Sequence, residues 1–164
     1  MALALIASAT AQSASEYDLK AAFLFNFTRF VDWPSSPDGG AFCIAVVGSD
    51  PFLGKLENAV SGRAAANRSI VIKHMKNGQL TAPCEVIFFS GTDLAKIRAT
   101  LASIHTPTLT VGEVPSFAHS GGIVEFSVEA HKLKLTINLD AAQRAHLQIS
   151  SKLLQLASVI RDSD

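Results

Sequence analysis

Several features are scarce in this chain, and each scarcity excludes a class of protein. The 14 basic side chains are balanced by 14 acidic ones, and they form no basic run. Nucleic-acid binding needs a cluster of cations that neutralises phosphates, so we predict no nucleic-acid partner. No apolar run reaches the roughly 18 residues that a membrane span needs, so we predict no direct membrane insertion.

Recognisable catalytic and metal-binding motifs are also missing. The five histidines show no HExxH spacing or other close pairing, and the serines lack a GxSxG elbow. The acidic residues read as helix caps and solvated side chains. We therefore predict no catalytic residue, no metal site, no cofactor and no enzymatic activity, although residues distant in sequence can meet in space.

The first residues have features of a processing signal. Ala2–Ala9 is a short apolar run, and Ala9-Thr10-Ala11 has the small-x-small form of a signal-peptidase site. No basic residue precedes Lys20, so the segment is either part of a longer signal or a frayed N-terminus. We predict export, with residues 1–14 as a signal-peptide remnant or disordered N-terminus and residues 15–164 as one domain.

The stretch Tyr17–Pro34 predicts an aromatic helix that opens the fold. It should end at Trp33, because a residue before proline disfavours the α conformation. Phe25 and Arg29 fall on its polar side, and they are the candidate partner surface. The opposite, apolar face is predicted to pack on a sheet, and it carries Leu19, Phe23, Phe27, Phe30 and Val31, with Leu24 at its edge.

Short apolar runs alternate with helical patterns after this helix. Strands are predicted at Ala41–Val47, Ser69–Met75, Glu85–Phe89 and Leu109–Val111. Helices are predicted from an Asp50 cap through about Val60, and over Asp93–Ile104. Such alternation favours an α/β fold, a single domain with a mainly parallel sheet flanked by helices.

The C-terminal third alternates between apolar and polar residues. This pattern predicts an antiparallel β-hairpin in which a two-residue turn places Glu129 opposite Lys132. Asp140 is predicted to cap a short helix that follows. Ser150 or Ser151 should cap a last helix, whose packing stripe is Leu153, Leu156, Ala157 and Ile160. The domain should therefore end in a hairpin and C-terminal helices.

The two cysteines form no CxxC pattern, since Cys43 and Cys84 lie forty-one positions apart. Cys43 is near the start of the first of the four predicted strands, and Cys84 precedes the third, so both lie at one edge of a parallel sheet. If these strands are neighbours, as in a 2-1-3 order, a disulfide can form. It would close a loop of about 40 residues and contribute about 3–4 kcal/mol. Two buried free thiols are the alternative.

Seven segments, in order, resemble the YfiR-like family of exported bacterial proteins. They are KAAFLFNFTRFVDWP (Lys20–Pro34), FCIAVVG (Phe42–Gly48), PCEVIFF (Pro83–Phe89), LTVGE (Leu109–Glu113), FAHSGGIVEF (Phe117–Phe126), INLDAA (Ile137–Ala142) and ISSKLLQLA (Ile149–Ala157).

The resemblance implies a periplasmic regulator that binds the periplasmic domain of an inner-membrane diguanylate cyclase and restrains it. Loss of the restraint raises cyclic di-GMP and promotes biofilm. The resemblance further implies a homodimer and a structural bridge between Cys43 and Cys84. A second cysteine pair known in the family is absent here, since Phe117–Phe126 contains no cysteine.

A second interpretation is a periplasmic small-molecule sensor that serves another membrane receptor. Its default cleft would lie at the strand ends near Gly48–Pro51. A nucleotide is a poor candidate for this cleft, because one glycine is not a GxGxxG fingerprint and Asp50 would repel an anion.

Overall fold

The structure is a computed structural model that describes residues 3–34, 39–76, 79–80, 82–91 and 93–163, with side chains from Glu16 onward. The described residues form helices α1 (Leu3–Phe30), α2 (Lys55–Val60), α3 (Leu94–Ala102), α4 (Leu139–Arg144) and α5 (Ser151–Leu154), and a 3-10 turn at Ala118–Ser120. The strands are β1 (Val31–Asp32), β2 (Phe42–Val47), β3 (Ala64–Ala65), β4 (Arg68–Met75), β5 (Val86–Phe89), β6 (Leu109–Gly112), β7 (Val124–Glu129), β8 (Lys132–Asn138), β9 (Gln148–Ile149) and β10 (Ala157–Ile160). Within this part of the chain, no helix combines the length and apolar character that crossing a membrane requires.

A mostly parallel sheet forms the centre of the domain. Its eight strands lie in the order β10-β8-β7-β6-β5-β2-β4-β3. The predicted α/β fold is confirmed, and so is the 2-1-3 order, because β2 lies between β4 and β5. The hairpin β7–β8 is also confirmed, with Glu129 opposite Lys132.

Helices cover both faces of the sheet, so the central strands are apolar on both sides. One core contains the buried side chains of α1, α2 and α4 and includes Phe88 and Phe126. The other core lies on the α3 side and includes Ile97, Phe89 and Phe117. The continuous burial of β2, β5 and β6 explains why their short apolar runs were recognisable in the sequence.

Helix α1 ends three residues sooner than predicted. Its last residue is Phe30 rather than Trp33, because Val31 leaves the helix and pairs with Ile149 of β9. The backbone N–H of Ser150 also donates to the carbonyl of Phe30 at 2.9 Å. A small second sheet, β1–β9, therefore ends the helix before Pro34 can.

The buried face of α1 contains Phe27 of the predicted stripe, and Val31, directly after the helix, is also buried. This face is wider than the stripe and extends to Phe25 on the side predicted to be polar. Leu24 and Phe27 are fully buried, whereas Leu19 is 46% exposed. Helix α2 packs against α1 on the side predicted to be polar. Two packing partners, the sheet and α2, require a wider apolar surface than a single stripe.

Two predicted helix caps are wrong. Helix α2 begins at Lys55, and the carboxylate of Asp50 instead accepts the N–H of Phe52 at 2.9 Å in a local turn. The cap of α4 is Asn138, whose side-chain oxygen accepts the N–H of Ala141 at 3.0 Å. Asp140 lies inside α4, one residue past its start.

The predicted last helix is correct only in its first turn. Ser150 caps α5 as predicted, and Leu153 is buried. The chain then turns into β10, which pairs in parallel with β8. Leu156 is 65% exposed, so the stripe predicted for a longer helix does not exist.

Candidate functional site

A disulfide joins Cys43 and Cys84 at the amino-terminal edge of the parallel strands. The two Cα atoms lie 4.7 Å apart, and both residues are buried. Cys43 is the second residue of β2, and Cys84 comes two residues before β5. The neighbouring positions of β2 and β5 thus bring the cysteines together, as the sequence predicted, and the free-thiol alternative is wrong.

The Glu85 carboxylate connects the disulfide to two neighbouring strands. Its Oε2 accepts the backbone N–H of Cys43 at 2.8 Å, and its Oε1 forms an ion pair with Arg68. The Arg68 guanidinium also lies over the ring of Phe42, 5.2 Å from its centroid. Trp33 donates its indole N–H to the carbonyl of Glu85 at 3.1 Å. These contacts tie β2, β4 and β5 together beside the bridge.

A cavity of about 500 Å³ opens at this edge, and the disulfide forms part of its wall. The other lining side chains are mostly apolar, with Arg68, Lys73 and Glu85 as charged groups. We call it the disulfide-edge cavity. Its volume falls in the range of small-molecule sites.

A second cavity, of about 510 Å³, lies at the opposite edge, where the parallel strands end. Ser49 and Pro51 follow β2, Ser90 follows β5, and Glu113 follows β6; all four line the cavity. We call it the carboxyl-edge cleft. It contains part of the Gly48–Pro51 segment predicted as the default cleft, and ligands of α/β proteins commonly bind at this edge.

A charged cluster from α1 and β6 forms one wall of the cleft. The Lys20 side chain is only 4% exposed, and its Nζ lies 2.6 Å from Glu113 Oε2 and forms an ion pair with Glu16. Tyr17 donates its hydroxyl to Glu113, 3.1 Å from either carboxylate oxygen. Burial, and then the charge of Glu113, raises the pKa of Tyr17 well above its ordinary value.

Sequence reasoning missed this cluster, although a signal was present. Lys20 lies at i, i+4 and i+7 spacing with Leu24 and Phe27, which are both fully buried. A lysine on the buried face of a helix needs an anion, because an unpaired buried charge is strongly unfavourable. Its long-range partner, Glu113, is ninety-three positions away and has no local signal.

The candidate partner surface predicted from the sequence is corrected at Phe25. This side chain is only 6% exposed and belongs to the core that contains α1 and α2, and its ring centroid lies 4.6 Å from the Arg63 guanidinium. The prediction that Phe25 is exposed is therefore wrong. Arg29 is exposed, and a contact between Arg29 and a partner stays a prediction.

Exposed apolar side chains occur elsewhere, around the tip of the hairpin. Leu19 and Val128 are each 46% exposed, and Phe23 and Leu133 are partly buried. The ring centroids of Phe23 and Phe126 lie 6.2 Å apart, and Phe126 is two residues before Val128 in β7. Leu133 lies opposite Val128 across the hairpin. We call these four residues the tip patch. It borders the carboxyl-edge cleft, which Val128 also lines.

The described residues contain no group of three or more His, Cys, Asp or Glu side chains that could hold a metal ion. The charged cluster in the carboxyl-edge cleft consists of one lysine and two carboxylates already paired with each other. These contacts join α1 to the end of the sheet.

The chain is similar to one known family over nearly its whole length. A family model described as YfiR/HmsC-like matches residues 17–158, which span α1 to β10. A comparison with curated proteins finds no match. The matched range includes both cysteines of the disulfide, the tip patch and, except for Glu16, the residues of the carboxyl-edge cleft.

Proposed function

Because the chain belongs to the YfiR/HmsC-like family, we propose that it binds the periplasmic domain of an inner-membrane diguanylate cyclase and restrains its activity. Members of this family are periplasmic, non-catalytic regulators of diguanylate cyclases. The match over residues 17–158 is the observation that carries the proposal. Loss of the restraint would raise cyclic di-GMP and promote biofilm.

The proposal includes export and removal of a signal segment. Cleavage after Ala11 would leave a mature protein that begins within α1 and keeps Glu16, Tyr17 and Lys20. The side chains of the predicted signal-peptidase site lie outside the described residues. The domain boundary at residue 15 remains part of the proposal.

The tip patch is the surface that we assign to the cyclase. Leu19 of α1 and Val128 of β7 are aliphatic residues with nearly half of their surface exposed. Phe23, one helical turn after Leu19, contacts the ring of Phe126, which lies two residues before Val128 on the same face of β7. Exposed apolar residues that cluster around one site often mark protein-binding surfaces. Arg29, the exposed residue of the sequence-based surface, lies on the same helix.

Cellular cyclic di-GMP tests the proposed function most directly. We expect deletion of the gene to raise cyclic di-GMP and the intact gene to restore it. An unchanged level in a strain that expresses the cyclase would refute the restraint. Co-purification of the cyclase periplasmic domain with the exported protein would establish that the contact is direct.

Variants of the tip patch separate the contact surface from the fold. Val128→Lys places a charge on an exposed apolar position, so we expect it to abolish complementation without unfolding the protein. Val71→Lys is the matched control, because Val71 is a strand valine that is 36% exposed at the other end of the sheet. Complementation by the Val128 variant at wild-type level would exclude this surface while leaving the function intact.

A second candidate function, small-molecule sensing, is favoured by one observation. The carboxyl-edge cleft exists at Gly48–Pro51 where the sequence predicts a ligand, and the buried Lys20 ion pair lines it. A ligand that binds only the folded protein raises its melting temperature. We would screen periplasmic metabolites for such a rise, with Lys20→Met as the variant that should abolish it.

A further inference from the structure

The disulfide-edge cavity has walls that are held in place before any molecule enters it. The bridge joins Cys43 to Cys84, and both residues line the cavity. Trp33 is fixed by two contacts: its indole N–H donates to the carbonyl of Glu85 at 3.1 Å, and its ring meets that of Phe42 edge-on, with centroids 5.1 Å apart. A preformed wall loses little conformational entropy when a ligand binds. Three further lining residues have a locked backbone φ, namely Pro34, Pro83 and Pro107.

One side of the cavity is formed by a face of β2 and β4. In the parallel register of these strands, Cys43 lies opposite Val71, and Ala45 lies opposite Lys73. Alternate residues of a strand point to the same face, so Val71 and Lys73 share the face of the disulfide. Both residues are exposed, and both line the cavity. An apolar surface that begins at the disulfide therefore ends at a cationic side chain.

The charges of the described lining residues do not cancel. Arg68 forms an ion pair with Glu85, so these two charges compensate each other. No hydrogen bond or ion pair joins the Lys73 ammonium to any other residue that the structure describes. The wall thus carries one positive charge in excess, and this charge attracts anions into a recess whose other surfaces are mostly apolar.

We propose that the disulfide-edge cavity binds a small organic anion. Its carboxylate pairs with Lys73, and its apolar body fills the space lined by Val71, the disulfide and Trp33. The volume of about 500 Å³ suits a small molecule. The site lies at the opposite edge of the sheet from the carboxyl-edge cleft. It goes beyond the proposed function and does not depend on it.

Two other classes of ligand fit these walls less well. An organic cation would face the excess positive charge of Lys73. An inorganic anion such as phosphate would pair with Lys73 but would cover none of the apolar wall, whose removal from water contributes about 25 cal/mol for each Å². An aromatic body suits the wall further, because sulfur and aromatic rings make favourable contacts with aromatic ligands.

The fluorescence of Trp33 reports on this cavity directly, because the chain has one tryptophan and it lines the wall. We would titrate the purified protein with phenylbutyrate and with phenylbutylamine, which share an apolar body and carry opposite charges. We expect a saturable change in Trp33 fluorescence with the acid. The amine should bind weaker by about tenfold or more, since it meets repulsion where the acid meets attraction.

A charge reversal at Lys73 tests the orientation of the ligand. Lys73→Glu should weaken binding of phenylbutyrate by about tenfold and strengthen binding of phenylbutylamine. Lys134→Glu is the matched control, because Lys134 is also an exposed strand lysine but lies on β8, away from the residues that line the cavity. It should bind both compounds as wild type does. Since both lysines are exposed, both variants should keep the wild-type melting temperature in the absence of ligand.

Three results would overturn the proposal. The first is no saturable binding of either phenylbutyrate or octanoate, by fluorescence and by calorimetry. The second is equal affinity of wild type for the acid and the amine, which would leave the excess charge without a role. The third is an equal effect of Lys73→Glu and Lys134→Glu, which would place the ligand outside this cavity.

These measurements use the purified protein and do not involve cyclic di-GMP. Binding of phenylbutyrate at Lys73, without any effect of gene deletion on cyclic di-GMP, would support the anion site and refute the restraint of the cyclase. A functional regulator that binds neither anion would refute the anion site alone.

Discussion

The hydroxyl oxygen of Tyr17 lies 3.1 Å from each carboxylate oxygen of Glu113, and the two residues join α1 to the end of β6. Burial and this carboxylate both disfavour a tyrosinate, so they raise the pKa of Tyr17. The folded protein should therefore hold the phenol proton at a pH where the unfolded chain releases it.

Titration of the tyrosinate absorbance measures this effect without ambiguity, because the chain has one tyrosine. We expect the native protein to titrate well above the denatured protein, whose midpoint should lie near pH 10. Since the folded pKa is the higher one, the stability from this contact is complete below about pH 10 and is lost as the pH rises further. Equal midpoints in native and denatured protein would contradict the contact, and Tyr17→Phe should remove the signal.

Lys20 should contribute more to stability than an exposed lysine does. Lys20→Met leaves Glu16 and Glu113 close together without their shared cation, so we expect it to lower the free energy of unfolding by about 2–3 kcal/mol. Addition of Glu113→Gln should recover part of this loss, since it removes one carboxylate charge. The exposed pair of Lys96 with Asp93 gives the control: Lys96→Met should have little effect on the free energy of unfolding, because solvent screens an exposed ion pair. If Lys20→Met and Lys96→Met lowered the free energy of unfolding equally in urea denaturation, the result would argue against a buried ion pair at Lys20.

The disulfide should be a structural bond that contributes a large part of the protein's stability. It closes a loop across 41 positions, and in the chain-entropy model Cys43→Ser should lower the free energy of unfolding by about 4 kcal/mol. Protein isolated from the periplasm should resist alkylation until it is unfolded and reduced. Reductant should destabilise wild type and leave Cys43→Ser unchanged. Two thiols that react at once in native, unreduced protein would exclude the bridge.

Local sequence patterns predicted the strands in which each face is buried, or exposed, along its whole length. Strand β2 is apolar along its whole length because both of its faces are covered, so a continuous apolar run was sufficient evidence. The disulfide could be predicted because Cys43 lies in β2, Cys84 lies just before β5, and these two strands are neighbours. The hairpin β7–β8 was predictable because apolar and polar residues alternate along both strands, with the apolar residues on the more buried face and the polar ones on the more exposed face.

Features set by tertiary contacts were not predictable in the same way. Ala157 and Ile160 also suit a helix, and nothing in their sequence shows that β8 offers a free edge to pair with. Phe25 was predicted to be exposed because the pattern of α1 was assigned a single buried face. In the fold α2 also packs against α1, so the helix has a second packing partner. The Lys20–Glu113 pair joins residues ninety-three positions apart, so only the fold brings them together.

The Phe117 ring lies between two glycines, and this packing explains part of the FAHSGGIVEF segment. A methyl group on Gly122 would lie 2.1 Å from an atom of the ring, and one on Gly112 would lie 2.4 Å from another. Phe117 is fully buried in the core on the α3 side, so its ring has no free space to move into.

Gly122→Ala should therefore lower the free energy of unfolding by about 1–3 kcal/mol, the usual effect of overpacking a core. Gly40→Ala is the matched control, because a methyl group there meets no atom of the described residues within 4 Å, and it should be neutral or slightly stabilising. Adding Phe117→Leu to Gly122→Ala should cost less than Phe117→Leu does in wild type, since the smaller side chain relieves the clash. Strictly additive losses in thermal or urea unfolding would show that Phe117 does not restrict this glycine.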